Sequence, residues 1–199
     1  MISPRTAVFP GDTPFSQEFL LKTSKGANLD LSTIKCTVHI GAHTDAPSHY
    51  HSQGITMEKR DLKLYLGPAQ VIEVQCAKGG RIRPADVKTE ILAPRVLFKT
   101  QSFPNPEKWN GDFTALSAEL IEWLALKKVR LVGIDTPSVD PAEDRLLESH
   151  TAIFKHDMAI LEGIILNEVP AGLYDLISLP LKIEGSDASP VRAVLLKQD

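Results

Sequence analysis

Apolar positions along this chain fall into short runs separated by turn residues, with one clear helical stretch among several strand-like ones. Leu116 to Lys128 predicts a helix. Leu120, Ile121 and Leu124 form its apolar stripe, Ser117 stands at the cap, Glu119 lies in the first turn and Lys127-Lys128 in the last, as the helix dipole favours. Ala142 to Lys155 predicts a second helix and Asp61 to Leu66 a short one. Ala69 to Cys76, Arg95 to Thr100, Tyr174 to Ile183 and Val191 to Lys197 read as strands. Val129 to Asp135 reads as a strand buried on both faces, and Met158 to Leu161 leads into Glu162. Cys36, Val38 and Ile40 are apolar with Thr37 and His39 between them, the alternation of a half-buried strand. Residues 1–16 are proline-rich and predict a loop, as do 101–112, a candidate rim or lid, and 136–141. These elements predict an α/β fold, one domain over residues 1–199, with a mixed β-rich core flanked by a few helices.

Composition changes the picture mainly by exclusion. A chain of 199 residues that is 43% hydrophobic and 24% charged is ordinary for a globular domain with a real core. A formal charge of −3 argues against nucleic acid as a partner. No run approaches a membrane span, and the N-terminus does not read as a signal peptide, so the expected setting is the cytoplasm. Cys36 and Cys76 lie in apolar runs and read as small buried hydrophobes.

The chemistry is concentrated in His39-Ile-Gly-Ala-His-Thr-Asp-Ala-Pro-Ser-His49. His39, His43, Asp45 and His49 share one parity, so an extended segment turns them to one face. A straight strand would separate the Cα atoms of His39 and His43 by about 13 Å, too far for imidazoles that must converge at about 2.0–2.1 Å from one ion. Gly41 permits the necessary bend, and Pro47 turns the chain to bring His49 back. Imidazole and carboxylate suit zinc, manganese or iron, and the absence of cysteine disfavours a structural zinc site. Parity alone leaves His49 open as a fourth ligand. Asp135 and Asp140 read as turn caps, and His150 and Glu162 in isolation as surface residues.

This run resembles the metal-binding motif of the cyclase-like metal-dependent hydrolases, whose best-defined branch is the bacterial kynurenine formamidases. Val8 to Phe15 resembles that family's N-terminal substrate loop and Leu131 to Pro141 its central strand and loop. His150, Ile160-Leu161-Glu162 and Ser189-Pro190-Val191-Arg192-Ala193-Val194 also fit. The resemblance implies a swivelling β/α fold, a homodimer and two divalent ions per chain, Zn²⁺ with Mn²⁺ as the alternative. His39, His43 and Asp45 would hold one ion and His150 the second, with Asp45 and Glu162 bridging. It further implies His49 as the acid–base residue and Phe9, where the kynurenine formamidases usually have tryptophan, against an aryl formamide substrate. The implied reaction is hydrolysis of N-formyl-L-kynurenine to L-kynurenine and formate by water activated on the metal. A cyclic-amide (isatin-type) hydrolase, a dehydrating cyclase and a non-catalytic metal-binding protein remain alternatives on the same residues.

Overall fold

The computed structural model describes residues 1–197; Gln198 and Asp199, the end of the expected domain, lie outside the described residues. In chain order the strands are β1 (Ser16–Leu21), β2 (Leu31–Lys35), β3 (His43–Asp45), β4 (Leu66–Glu73), β5 (Arg81–Ile82), β6 (Arg95–Lys99), β7 (Ala115–Leu116), β8 (Leu131–Ile134), β9 (Ala159–Leu161), β10 (Gly172–Ile177), β11 (Ala188–Pro190) and β12 (Val194–Lys197). The α-helices are α1 (Pro47–Tyr50), α2 (Ala118–Leu126) and α3 (Glu148–Lys155). A six-stranded sheet runs β12-β10-β4-β6-β8-β9. Its β4, β6, β8 and β9 are parallel, and β10 and β12 extend it antiparallel. This is the expected α/β architecture.

Alternation along the central strands supplies both halves of the core. Ile72, Val96, Phe98, Val132, Ile134 and Ile160 pack in one cluster with Leu120, Ile121 and Leu124 of α2 and Ile153 of α3. Val71, Leu97, Leu131 and Leu161 belong to a second cluster with Ala46, Met57, Leu64 and Tyr65. Each fully buried side chain of this size stabilises the fold by about 1.5–3 kcal/mol. Coverage of both faces is why β8 reads as an unbroken apolar run. No α-helix among the described residues is long and apolar enough to cross a membrane.

Four expectations change. Cys36 to Ile40 is no strand: the pairing of β1 with β2 ends at Ser16 and Lys35, and the chain then turns through Val38 and His39. Without a partner strand, alternation has no ladder to serve. The second helix is only α3, because Leu147 adopts a left-handed conformation (φ 50°) and Asp144 is drawn to Arg81, leaving 141–147 irregular. The expected closing strands are also shorter: β10 stops at Ile177 and β12 starts at Val194, with β11 between them. The expected helix over Asp61 to Leu66 is a single 3₁₀ turn, Leu62–Leu64, in which the Asp61 side chain accepts from the Lys63 N–H.

The site is positioned by a strap. β3 pairs antiparallel with β11, and His43 and Glu162 exchange main-chain hydrogen bonds of 3.0 and 2.9 Å. This pins β3 beside the C-terminal end of β9, on the side of a parallel sheet where ligands bind. The Thr44 hydroxyl donates to the Ile160 carbonyl at 2.6 Å, a second tie. Gly163 makes the approach possible. It has φ 62°, and a Cβ there would sit 2.2 Å from the Gly41 carbonyl oxygen. Gly163→Ala is therefore expected to destabilise the protein by at least about 1–3 kcal/mol, the cost of such backbone strain. A lowered melting temperature in thermal denaturation checks this.

Candidate metal centre

Each imidazole of the cluster is aimed by a contact on its far side. His43 Nδ1 lies 2.9 Å from the carbonyl of Gly41, so it donates there and leaves Nε2 facing the cluster as the candidate ligand atom. The bend at Gly41 (φ 60°) thus serves the site as the spacing requires, and also supplies the acceptor. His150, on α3, has Nδ1 2.7 Å from Asp140 Oδ2, which again leaves Nε2 for the centre. His39 turns Nδ1 inward, 3.0 Å from Asp45 Oδ1, and Nε2 outward, 3.0 Å from Asp187 Oδ2.

The inward atoms converge on two buried carboxylates. His43 Nε2 is 3.5 Å from Asp45 Oδ1 and 3.1 Å from Glu162 Oε2. His150 Nε2 is 3.4 Å from Asp45 Oδ2 and 3.9 Å from Glu162 Oε1. Glu162 is steadied by the Val139 N–H, which donates to Oε1 at 2.7 Å. Two groups result, His39–His43–Asp45 and Asp45–His150–Glu162, each with donor atoms within 4.8 Å of one another. Asp45 belongs to both.

His49 stands apart from those two groups. It sits on α1, whose first residue is Pro47, with its ring 4.2 Å from that of His39 and its Nδ1 3.3 Å from Asp187 Oδ2. Phe9 lines a pocket that also includes His39, His43, Phe103, Trp109 and Asn167. Its ring lies 4.6 Å from that of Trp109, so the loop 101–112 forms the rim of the site. All seven residues singled out in the sequence are thus in one region.

Two carboxylates were not foreseen in their roles. Asp140 is fully buried and more than a turn cap: it accepts from the Ser149 and His150 N–H groups, from His150 Nδ1, and from Arg81 at 2.6 Å. Its only sequence signal was its place in the loop after a buried strand. Asp187 carried no signal at all. Asp135, by contrast, is the expected cap, accepting from the Thr100 and Gln101 N–H groups. Cys36 and Cys76 are free and half-buried, and burial raises both thiol pKa values. His156 pairs with Glu122, away from the cluster.

The family model for the "Putative cyclase" family matches residues 1–141. The chain belongs to the cyclase family. The matched span holds Phe9, His39, His43, Asp45, His49 and Asp140, while His150, Glu162 and Asp187 lie beyond it. A solved structure described as a potential metal-dependent hydrolase with cyclase activity is 28% identical, with 98% of this chain and 93% of that one covered and a TM-score of 0.83. A predicted metal-dependent hydrolase from Bacillus stearothermophilus is 24% identical (98% and 94% covered, TM-score 0.80). Isatin hydrolase A from Ralstonia solanacearum is 22% identical (99% and 89% covered, TM-score 0.80). The last two, below a quarter identity, show a shared fold.

The cyclase-family cluster fits a divalent metal on its own chemistry. Both oxygens of Asp45 are buried, and neither has an aligned hydrogen-bond partner, although imidazole nitrogens lie 3.0–3.5 Å away. Donors converged on a buried carboxylate without hydrogen-bond geometry are the pattern of ligands around a common point. Without an ion, the histidines must carry the compensating charge. Burial opposes protonation of His150, but Asp140 and Asp45 outweigh it and raise its pKa to about 10. Burial likewise opposes His39, and Asp45 and Asp187 raise it to about 9. His43 is also raised, with Glu162 and Asp45 overcoming its burial. Burial would raise Asp45, but His150 and His39 hold it well below the usual carboxylate range.

The sign of the pH dependence follows. Histidines raised above 6.5 contribute stability that is complete below that value and is lost as pH rises through about 9 and 10. Asp45 contributes stability above its ordinary 3.8, lost as pH falls through its depressed value. Chelated protein should therefore lose melting temperature between pH 7 and pH 10. Because ligands must be deprotonated, added Zn²⁺ should raise the melting temperature more at pH 8 than at pH 6. Calorimetric scans with and without chelator check both.

Proposed function

We propose that this cyclase-family protein is a metal-dependent hydrolase of an aryl amide, with N-formyl-L-kynurenine, giving L-kynurenine and formate, as the substrate to test first. The observation that carries this is the unpartnered buried carboxylate of Asp45, shared by two ligand groups beside a pocket walled by Phe9, Phe103 and Trp109. His39, His43 and Asp45 would hold one divalent ion, and Asp45, His150 and Glu162 a second, both zinc. Ions so held supply Lewis acidity, which lowers the pKa of water from 15.7 towards about 7 and polarises a carbonyl.

The chain's own residues do the rest. Phe9 and Trp109 stack on the aryl ring, a contact worth about 0.5–1.5 kcal/mol beyond area burial. His49 takes the proton of the attacking water at Nε2 and returns one to the departing aniline nitrogen, which leaves poorly as an anion. A half-exposed imidazole outside both ligand groups suits that exchange with solvent and substrate. A second reading is a cyclic-amide substrate such as isatin, favoured by the isatin hydrolases that share this fold. The same residues serve it, the amide nitrogen then staying attached to the product.

Metal-replete protein is expected to hydrolyse N-formylkynurenine, with isatin run in parallel. His49→Ala should lose about 10²–10⁴ in kcat while keeping its metal. His43→Ala should lose both, and elemental analysis should count two ions in the wild type. Activity on isatin alone moves the assignment to the second reading, and a metal-depleted His49→Ala moves His49 among the ligands.

We also propose a homodimer, supported by β1 and β2. They form a separate two-stranded hairpin whose residues are all exposed, including Phe19, Leu20, Leu21, Leu31 and Ile34. An isolated two-stranded hairpin is marginal in water, and a second copy of the chain would cover it. Sedimentation is expected to give twice the chain mass, and Phe19→Glu with Ile34→Lys should shift it to the monomer.

A further inference from the structure

We propose that Asp187 is the positioning residue that fixes the tautomers of both His39 and His49, so that one carboxylate orients a metal ligand and the acid–base group together. This rests on the hydrolase reading above for its catalytic consequence, though not for its geometry. A single oxygen, Oδ2, faces both rings, 3.0 Å from His39 Nε2 and 3.3 Å from His49 Nδ1. An ionised carboxylate only accepts hydrogen bonds: it accepts from His39 Nε2 at 3.0 Å, and its charge, 3.3 Å from His49 Nδ1 though not in hydrogen-bond alignment with it, favours the proton of that ring on Nδ1. A neutral imidazole has one N–H, and its other nitrogen keeps the lone pair. For His39 that leaves Nδ1, the atom 3.0 Å from Asp45 Oδ1. For His49 it leaves Nε2, the atom the proposed proton transfer uses.

The carboxylate is held by main chain, although its side chain is half-exposed. The Asp187 carbonyl accepts from the Ala46 N–H at 2.8 Å, and the next residue, Ala188, is the ladder partner of Asp45. On the other side, the Ser186 carbonyl accepts from the Met57 N–H at 2.9 Å and the Ser186 hydroxyl donates to the Ala188 carbonyl at 2.6 Å. Asp187 is thus tied to the strand that carries Asp45 and to the chain entering α1, which carries His49. The arrangement completes a pattern, since His43 and His150 are each held by an oxygen on their far side. Asp187 does this for two rings.

The rival is an ion held by His39, His49 and Asp187, whose donor atoms also lie within 4.8 Å of one another. The two cases differ in where the protons are. Histidine-labelled, zinc-loaded protein should show, in long-range ¹H–¹⁵N spectra, His49 protonated at Nδ1 and His39 at Nε2. Asp187→Ala should give a mixture of His49 tautomers, keep the wild-type number of ions, and lose about 10–100-fold in kcat with little change in KM. Asp187→Asn, which keeps an acceptor oxygen, should recover part of that loss. An unprotonated His49 Nδ1 in the wild type, one ion fewer in Asp187→Ala, or wild-type kcat in that variant would each overturn the proposal. If the wild type hydrolyses neither substrate, the hydrolase reading fails instead, and the tautomers of the resting protein still decide the role of Asp187.

Discussion

The ionised carboxylate of Asp45, buried with neither oxygen hydrogen-bonded, is the constraint on which the rest of this structure depends. A buried charge left alone costs several kcal/mol, so it survives only where opposite charge is supplied at close range. Here the supply comes from His39, His43 and His150, as imidazolium without a metal and as neutral donors around one. Glu162 doubles the negative charge at the same place. The site is therefore built for cations.

Holding such a cluster requires rigid carriers, and the fold provides three. The strap β3 brings Asp45 and His43 against the end of β9, where Glu162 follows directly. Helix α3 brings His150, and Asp140 joins the helix to the site by accepting from the Ser149 and His150 N–H groups of its first turn and from the His150 ring. Arg81 in turn neutralises Asp140, from β5 on a separate two-stranded sheet. The candidate ligand set is thus fastened to both faces of the central sheet, whose burial provides most of the folding free energy. Movement at one ligand is resisted by packing at another.

The aromatic wall belongs to a different part of the design. Phe9, Phe103 and Trp109 come from loops, and their ring contacts run between 4.6 and 6.1 Å for the two pairs that include Trp109. Loops on a rigid scaffold can change without disturbing the ligands, which is how one fold serves different substrates.

What the sequence alone determined is local. The spacing of His39, His43 and Asp45, the need for a bend at Gly41, the turn at Pro47, the cap of α2 at Ser117 and the double-sided burial of β8 are all properties of a few adjacent residues, and all are present. Resemblance extended this to His150 and Glu162, which no local pattern marks. The tertiary structure decided the remainder. That Asp140 grips His150, that Asp187 reaches His39 across 148 residues, and that β1 pairs with β2 while Cys36 to Ile40 joins no strand ladder depend on what lies opposite each residue. A carboxylate has no role until its partner is known, and a strand is no strand without a neighbour. Those partners are set by the packing of distant elements, which periodicity along the chain does not encode.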